Sequence, residues 1–396
     1  MSRLSEARSF VATAPALVAC ALGLLGGVRA AGALELDPTR AHRFTLTPAR
    51  ITGASSLLPL PRNPQVKWRV RVAGGIGQAP SVAPEGAVLI ALNTPTLVQY
   101  DPKGRLEWSA RLGASAAALS PIVLGDGTRL VLTQGAEALV FSARGRPLRH
   151  SALPFANLDA SASVAPSGDG GLLIAAGRRL LRLDAALSVT LDTRLDQDIR
   201  SVLSGEPPLV VTGSGSVFEI TPEGEALRHG GFAARVDAVA RIAPRKLVAV
   251  LDAHRLGELD LDSETTTTRL AEPDLELAPS LSSNQTGELL ALVGGEFLVM
   301  LGAEGREKFR AALPSLDGLG RPTSSEVLLG PDGSSLVARA GLDVIAAQPD
   351  GALARAEGSA CAEPLRPASI AKGSVVYACR SGIVLRLDDA SASGKR

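Results

Sequence analysis

A period of about 40 residues runs through this chain and constrains its fold more than any other feature. Val66-Lys-Trp68-Arg-Val70-Arg-Val72 aligns with Leu106-Glu-Trp108-Ser-Ala110-Arg-Leu112 at an offset of 40. Ser81-Val-Ala-Pro84 returns 82 positions later as Ser163-Val-Ala-Pro166, and Gly145-Arg-Pro-Leu-Arg-His150 returns 79 positions later as Gly224-Glu-Ala-Leu-Arg-His229, two periods in each case. Leu181-Arg-Leu-Asp184 recurs as Leu385-Arg-Leu-Asp388. Self-similarity at a period of this length marks a repeat architecture in which no single unit can bury its own apolar faces.

Units open near Pro80, Ser120, Ser161, Arg200, Ala240, Pro279, Ser325 and Pro367, which makes eight. Inside each, short apolar runs alternate with turn residues. In the first unit Val88-Leu-Ile-Ala-Leu92 is followed by Asn93-Thr-Pro95, then Leu97-Val-Gln-Tyr100, Asp101-Pro-Lys-Gly104 and the Trp108 run. Matching reversals stand at Ser142–Gly145, Thr221–Gly224, Gly302–Gly305 and Gln348–Gly351, each ending on a glycine suited to positive φ. Four short strands per 40 residues, with no long segment of 3.6-residue period, predict an all-β chain folded as an eight-bladed β-propeller of four-stranded antiparallel blades. The eighth unit lacks a fourth strand and an unpaired strand, Val66 to Val72, precedes the first unit. We therefore expect the N-terminal strand to close the last blade and remove the open edges.

The composition fits a folded chain: 45% of the 396 residues are hydrophobic and 20% charged. Gly and Pro account for 67 residues spread along the sequence, as many turns require. The 41 basic and 40 acidic residues nearly cancel, so summed charge gives no field to draw nucleic acid or an anionic membrane, and no nucleic-acid partner is expected.

Residues 1–33 carry the layout of a secretory signal: Arg3 and Arg8, an uncharged run from Ser9 to Val28, then small residues from Ala30 to Ala33, where cleavage is expected. Two other readings stay open. Leu17-Val-Ala-Cys20 matches a bacterial lipobox, making Cys20 a candidate lipidation site, and the run is long enough for an uncleaved anchor. After cleavage 38 basic and 39 acidic residues remain, so near-neutrality survives. Residues 34–65, with Pro38, Pro48, Pro59, Pro61 and Pro64, read as a Pro-rich tether that holds the propeller off a membrane or crosses its face, residues 66–389 as the propeller, and 390–396 as a frayed tail. Export to the periplasm or cell envelope permits disulfides, and Cys361 and Cys379 are an even pair; a bridge is favoured over two buried thiols.

The run from Pro80-Ser-Val through Gly86-Ala-Val-Leu-Ile and Leu97-Val-Gln-Tyr to Asp101-Pro-Lys-Gly104-Arg-Leu-Glu-Trp108 resembles the PQQ-like β-propeller repeat. That repeat builds eight-bladed quinoprotein dehydrogenases and the BamB-like scaffolds of outer-membrane protein assembly, and the resemblance spans roughly Val66 to Asp389. The signature tryptophan stands at Trp68 and Trp108; elsewhere its slot holds other residues, such as Arg149 and Phe309, so tryptophan docking between blades is weaker. Quinoprotein dehydrogenases use adjacent cysteines, a Ca²⁺ held by acidic and amide groups and a catalytic Asp. No motif here matches those residues, so the resemblance implies the scaffold without the chemistry, and no cofactor, metal or catalytic residue is assigned.

Other candidates read as structural. His150 and His229 occupy matching repeat positions, and His42 and His254 lie in no metal-ligand spacing. Asp260, Asp262 and Glu264 have a Ca²⁺-like spacing without the central Gly of an EF-hand, and read as a blade turn. Asp192, Asp196 and Asp198 are candidates for a rim. Gly74-Gly-Ile-Gly77 joins two strands rather than opening a helix, so it reads as a linker and not a phosphate loop. Gly213-Ser-Gly-Ser216 reads as a hairpin turn and Asn284-Gln-Thr286 as a loop. The expected function is a monomeric, exported, non-catalytic module that binds envelope or outer-membrane proteins. The alternative is a divergent quinoprotein oxidoreductase or another propeller enzyme with a channel site.

Overall fold

The computed structural model describes Ser56 and residues 58–166, 171–184, 186–221, 223–314 and 325–390. The signal segment with Cys20, most of the tether, His42 and residues 391–396 lie outside the described residues. Thirty-two strands form eight four-stranded antiparallel sheets among the described residues. Blade 1 comprises Ser81–Val82, Val88–Ala91, Thr96–Tyr100 and Leu106–Arg111. Blades 2 to 7 follow at 122–152, 163–194, 199–231, 236–271, 277–312 and 325–355, each a simple meander.

Blade 8 takes three strands from the C-terminal region, Ala368–Ala371, Ser374–Cys379 and Ile383–Asp389, and its fourth from Pro64–Arg71. That strand pairs antiparallel with Ile383–Asp389, Val70 opposite Val384 and Trp68 opposite Arg386. It begins two residues before the expected Val66, because Pro64 and Gln65 pair with Asp389 and Asp388. A proline is tolerated there, at the first position of an outer strand. The end of the expected tether also lies on the ring. Leu60 is 2% exposed, Leu60 N–H donates to Ser334 Oγ at 3.0 Å, and Pro59 O accepts from Gly373 N–H at 2.8 Å.

First strands of neighbouring blades lie side by side around the axis, and Ser81–Val82 meets Ala368–Ala371 where blade 1 follows blade 8. Fourth strands form the outer wall and alternate exposed with half-buried side chains; second strands such as Val88–Ala91 and Leu289–Val293 are buried on both faces. The apolar core is accordingly a series of layers between blades. Leu328, Leu336 and Tyr377 join blades 7 and 8, Val82, Val98 and Ala378 join 8 and 1, and Val239, Leu209 and Leu259 join 4 and 5. Leu, Val, Ala and Ile fill these layers almost throughout, so the scarcity of aromatic residues is met by aliphatic packing.

Turn chemistry repeats with the period. Asp101 Oδ1 accepts from Lys103 N–H at 2.8 Å and Arg105 N–H at 2.9 Å; Asp184 Oδ1 accepts from Ala186 and Ser188 in the same pattern. Ser142 and Thr221 hydroxyls accept from the amide four residues on. These residues satisfy backbone donors that a tight reversal leaves unpaired.

Candidate functional site

Polar side chains on the inner strands reach across blade boundaries, one repeat unit at a time. Ser81 Oγ donates to Pro121 O, and Ser163 Oγ accepts from Val202 N–H at 3.0 Å. Between blades 6 and 7, Ser280 and Ser282 hydroxyls accept from Val327 N–H at 3.2 Å and Leu329 N–H at 3.0 Å. Gln78 Nε2 donates to Ala118 O at 2.8 Å, and Arg200 Nε to Asp237 O at 3.1 Å. The recurrent Ser-Val segments thus place a hydroxyl where it clasps the next blade. Buried backbone groups at these edges gain partners that the short inner strands alone do not supply.

Three buried arginines do the same with charge. Arg129 of blade 2 donates from Nε to Gln99 of blade 1 at 3.1 Å and pairs with Glu85. Arg339 of blade 7 donates to Gly295 O at 2.6 Å and Pro314 O at 2.7 Å after blade 6. Arg366, at the entry to blade 8, pairs through Nε with Glu326 Oε2 of blade 7 at 3.1 Å, while Ser280 Oγ of blade 6 donates to the same oxygen at 3.2 Å. Burial pushes the Glu326 carboxyl up, against the opposing pull of Arg366. This cluster escaped the sequence reading. Its signal was a charged residue inside an apolar strand, Glu326 among Val327, Leu328 and Leu329, with Arg366 one period further on.

Trp68 and Trp108 lie on outer strands and dock on the turn of the following blade. Trp68 Nε1 donates to Pro102 O and Trp108 Nε1 to Ala143 O, both at 3.0 Å. The tryptophan-poor slots are filled by other side chains: Leu191 lies against Gly224, Phe309 against Gly351, and Arg269 against Gly305, donating to Ala303 O at 2.8 Å. Cys361 and Cys379 are joined as a disulfide with Cα atoms 5.8 Å apart. Cys361 lies in the connection from blade 7, bridging Leu342, and Cys379 ends a strand of blade 8, so the bond ties that connection to blade 8.

His150 Nε2 lies 3.0 Å from Glu137, His229 Nε2 3.2 Å from Glu219, and His254 Nδ1 3.2 Å from Leu275 O. Asp192, within the outer strand of blade 3, pairs with Arg179, and Asp198 pairs with Arg178. The Arg179 hydrogen bond holds the Asp192 carboxyl below its ordinary value. Asp260 accepts from Asp262 N–H and Ser263 N–H, and Asp262 pairs with Arg245, which makes 260–264 a turn. Asn284 is buried and its Oδ1 accepts from Thr286 and Glu288 amides, the centre of a turn. Ile76, in the glycine-rich linker, is buried and its amide donates to Arg380 O at 3.0 Å. Among the described residues no group of three His, Cys, Asp or Glu side chains could hold a metal ion.

No protein-family model matches the sequence, and no curated protein matches it. Solved structures do match in shape. BamB from Moraxella catarrhalis aligns with a TM-score of 0.61 at 14% identity, over 83% of this chain and 98% of that one. The computationally designed protein Ika8 aligns at 0.63 with 12% identity, over 84% and 99%. A streptogramin B lyase aligns at 0.52 with 13% identity, over 82% and 98%. At these identities the likeness is one of fold, and the fold is that of an eight-bladed β-propeller.

Proposed function

We propose that this chain is an exported, non-catalytic propeller that binds and positions other proteins in the cell envelope, with outer-membrane protein assembly as the specific version. The observation that carries this reading is the use of polar side chains between the inner strands. Ser81, Ser163, Ser280, Glu326 and Arg366 join blade to blade, which leaves the rims and outer wall as the contact surfaces. Loops on a rigid scaffold are where binding residues concentrate. The fold likeness to BamB over most of both chains supports the same reading. Crosslinking in envelope fractions, with identification of the captured protein, tests it. A reproducible envelope partner is expected, and recovery of none under several conditions contradicts it. Mass spectrometry of the mature N-terminus distinguishes a cleaved signal from lipidation at Cys20 or a retained anchor.

The fold likeness to a streptogramin B lyase keeps a second reading, a propeller enzyme with a channel site, in view. Incubating the purified chain with PQQ and Ca²⁺ separates the quinoprotein version. A stoichiometric quinone spectrum with dye reduction by alcohols or sugars replaces the scaffold reading; neither signal is expected.

A further inference from the structure

The near-zero net charge conceals a segregation that closure of the ring creates. Blades 8, 1 and 2, residues 366–389 and 64–152, carry fourteen Lys and Arg against seven Asp and Glu. Blades 4 to 7, residues 199–312 and 325–355, carry thirteen against twenty-one. Blades 8, 1 and 2 are consecutive around the ring only because Pro64–Arg71 completes blade 8 beside blade 1. The sequence places these residues at opposite ends of the chain.

The basic sector has a distinct edge. The turns before the fourth strands of blades 1 and 2 present Lys103 and Arg105, and Arg144 and Arg146, all exposed. Beside them stand Leu106, 58% exposed, and Leu148, 49% exposed, the two most exposed large apolar residues among those described. Arg105 pairs with Asp101 but keeps most of its side chain in solvent. Lys67, Arg69 and Arg71 continue the basic wall along the outer strand of blade 8. Interleaved cations and exposed leucines are the chemistry of a membrane-interface contact, in which charge attracts the surface and apolar side chains enter it. The chain leading into Pro64 passes along the boundary of blades 7 and 8, with Leu60 on Ser334 and Pro59 on Gly373, before it enters this sector, and its sequence upstream contains the uncharged run from Ser9 to Val28.

We propose that the edge formed by Lys103, Arg105, Leu106, Arg144, Arg146 and Leu148 seats the propeller on a lipid surface bearing anionic headgroups. The acidic blades 4 to 7 are then turned away from that surface and toward the surrounding solution. Surface attraction of this kind weakens by roughly 5-fold for each basic residue removed and is screened by salt.

The test is vesicle co-sedimentation of the full chain, comparing vesicles of 30% phosphatidylglycerol in phosphatidylcholine with pure phosphatidylcholine. The N-terminal segment is common to all proteins compared, so the anionic preference is the readout. We expect that preference to fall at least 10-fold in Lys103→Gln/Arg144→Gln, to vanish in K103E/R105E/R144E/R146E and in 0.5 M NaCl, and to persist in Arg306→Glu on blade 6. Leu106→Ser/Leu148→Ser should weaken binding to anionic vesicles. Thermal melts matching the parent show that these variants are folded; the Gln pair serves if the fourfold variant is not. Equal binding to both vesicle types, or an anionic preference unchanged by these substitutions, overturns the proposal. So does binding of poly-glutamate through the same residues without binding to anionic vesicles, which assigns the edge to an acidic protein.

Discussion

Trp68, on the strand that precedes all eight repeats, lies across Gly104 in the turn of blade 1: a Cβ added to Gly104 would stand 2.9 Å from Trp68 Cδ2. Pro102 O accepts from both Trp68 Nε1 at 3.0 Å and Arg386 Nη1 at 2.8 Å, so the two chain ends meet on one carbonyl of the first blade. Gly104 has φ +81°, a conformation unfavourable for residues with a Cβ. Trp68→Ala should therefore cost about 2 kcal/mol, less than the value for a fully buried tryptophan because the ring is half-buried. Gly104→Ala should cost about 1–2 kcal/mol from φ alone, with the ring contact adding to it. Urea unfolding of both single variants and the double variant measures the coupling. Strictly additive losses would contradict direct docking.

The Glu326–Arg366 pair is buried, and removing one partner strands the other. Arg366→Met should destabilise by about 3–5 kcal/mol, whereas Glu326→Leu/Arg366→Met should recover at least half of that loss. Denaturant midpoints check this. Equal losses in the single and double variants would show that the two side chains are not an interacting pair.

The Cys361–Cys379 bond closes a loop of 18 residues. A crosslink over such a loop is worth about 3 kcal/mol, chiefly through the unfolded chain. Dithiothreitol should lower the melting temperature of the parent protein and leave that of Cys361→Ser/Cys379→Ser unchanged. A parent melt insensitive to reductant contradicts the bond.

Acid should destabilise the fold through exposed carboxylates. Arg179 holds the Asp192 carboxyl low, and the amides of Asp262 and Ser263, with Lys246, do the same for Asp260. A group depressed in the folded state contributes its stability above its unfolded value, about 3.9, and loses it as pH falls through the lower folded value. Glu326 has the opposite sign: its raised folded value makes ionisation a cost, relieved as pH falls. Urea midpoints between pH 6 and 3 should decline below about 4, and Asp192→Asn should flatten that decline. Glu326→Gln should steepen the net acid loss by removing the opposing term.

The legible part of this molecule was what repeats. Eight unit openings, the turns ending in Gly104, Gly145, Gly224, Gly305 and Gly351, and the closing N-terminal strand all follow from periodic apolar runs and turn residues, which depend on local chemistry. What stayed hidden depends on which units become neighbours. Ser81 and Ser163 were visible as a motif, but their hydroxyl clasps need the adjacent blade's strand edge to exist. Leu191 pairs with Arg182 as Trp108 pairs with Gln99, so its slot keeps the tryptophan spacing with an aliphatic side chain, whereas Arg269 lies at a bulge in the outer strand of blade 5, where the Trp68 and Trp108 spacing does not find it. The disulfide partners were visible as a pair, while the anchoring of Cys361 outside blade 8 required the path of the connection. Charge gave the largest difference, because a whole-chain sum cannot see that closure brings residues 64–152 beside 366–389.

The central structural claim is that the chain forms a single ring completed by Pro64–Arg71. Deleting residues 64–71 from the full chain and following denaturant unfolding tests it most directly. Removal leaves Ile383–Asp389 as an open edge and takes Trp68 and Val70 from the layer between blades 8 and 1. Loss of the single cooperative transition is expected, or a midpoint lowered so far that the ring is not maintained at room temperature. An unchanged midpoint and slope would contradict it.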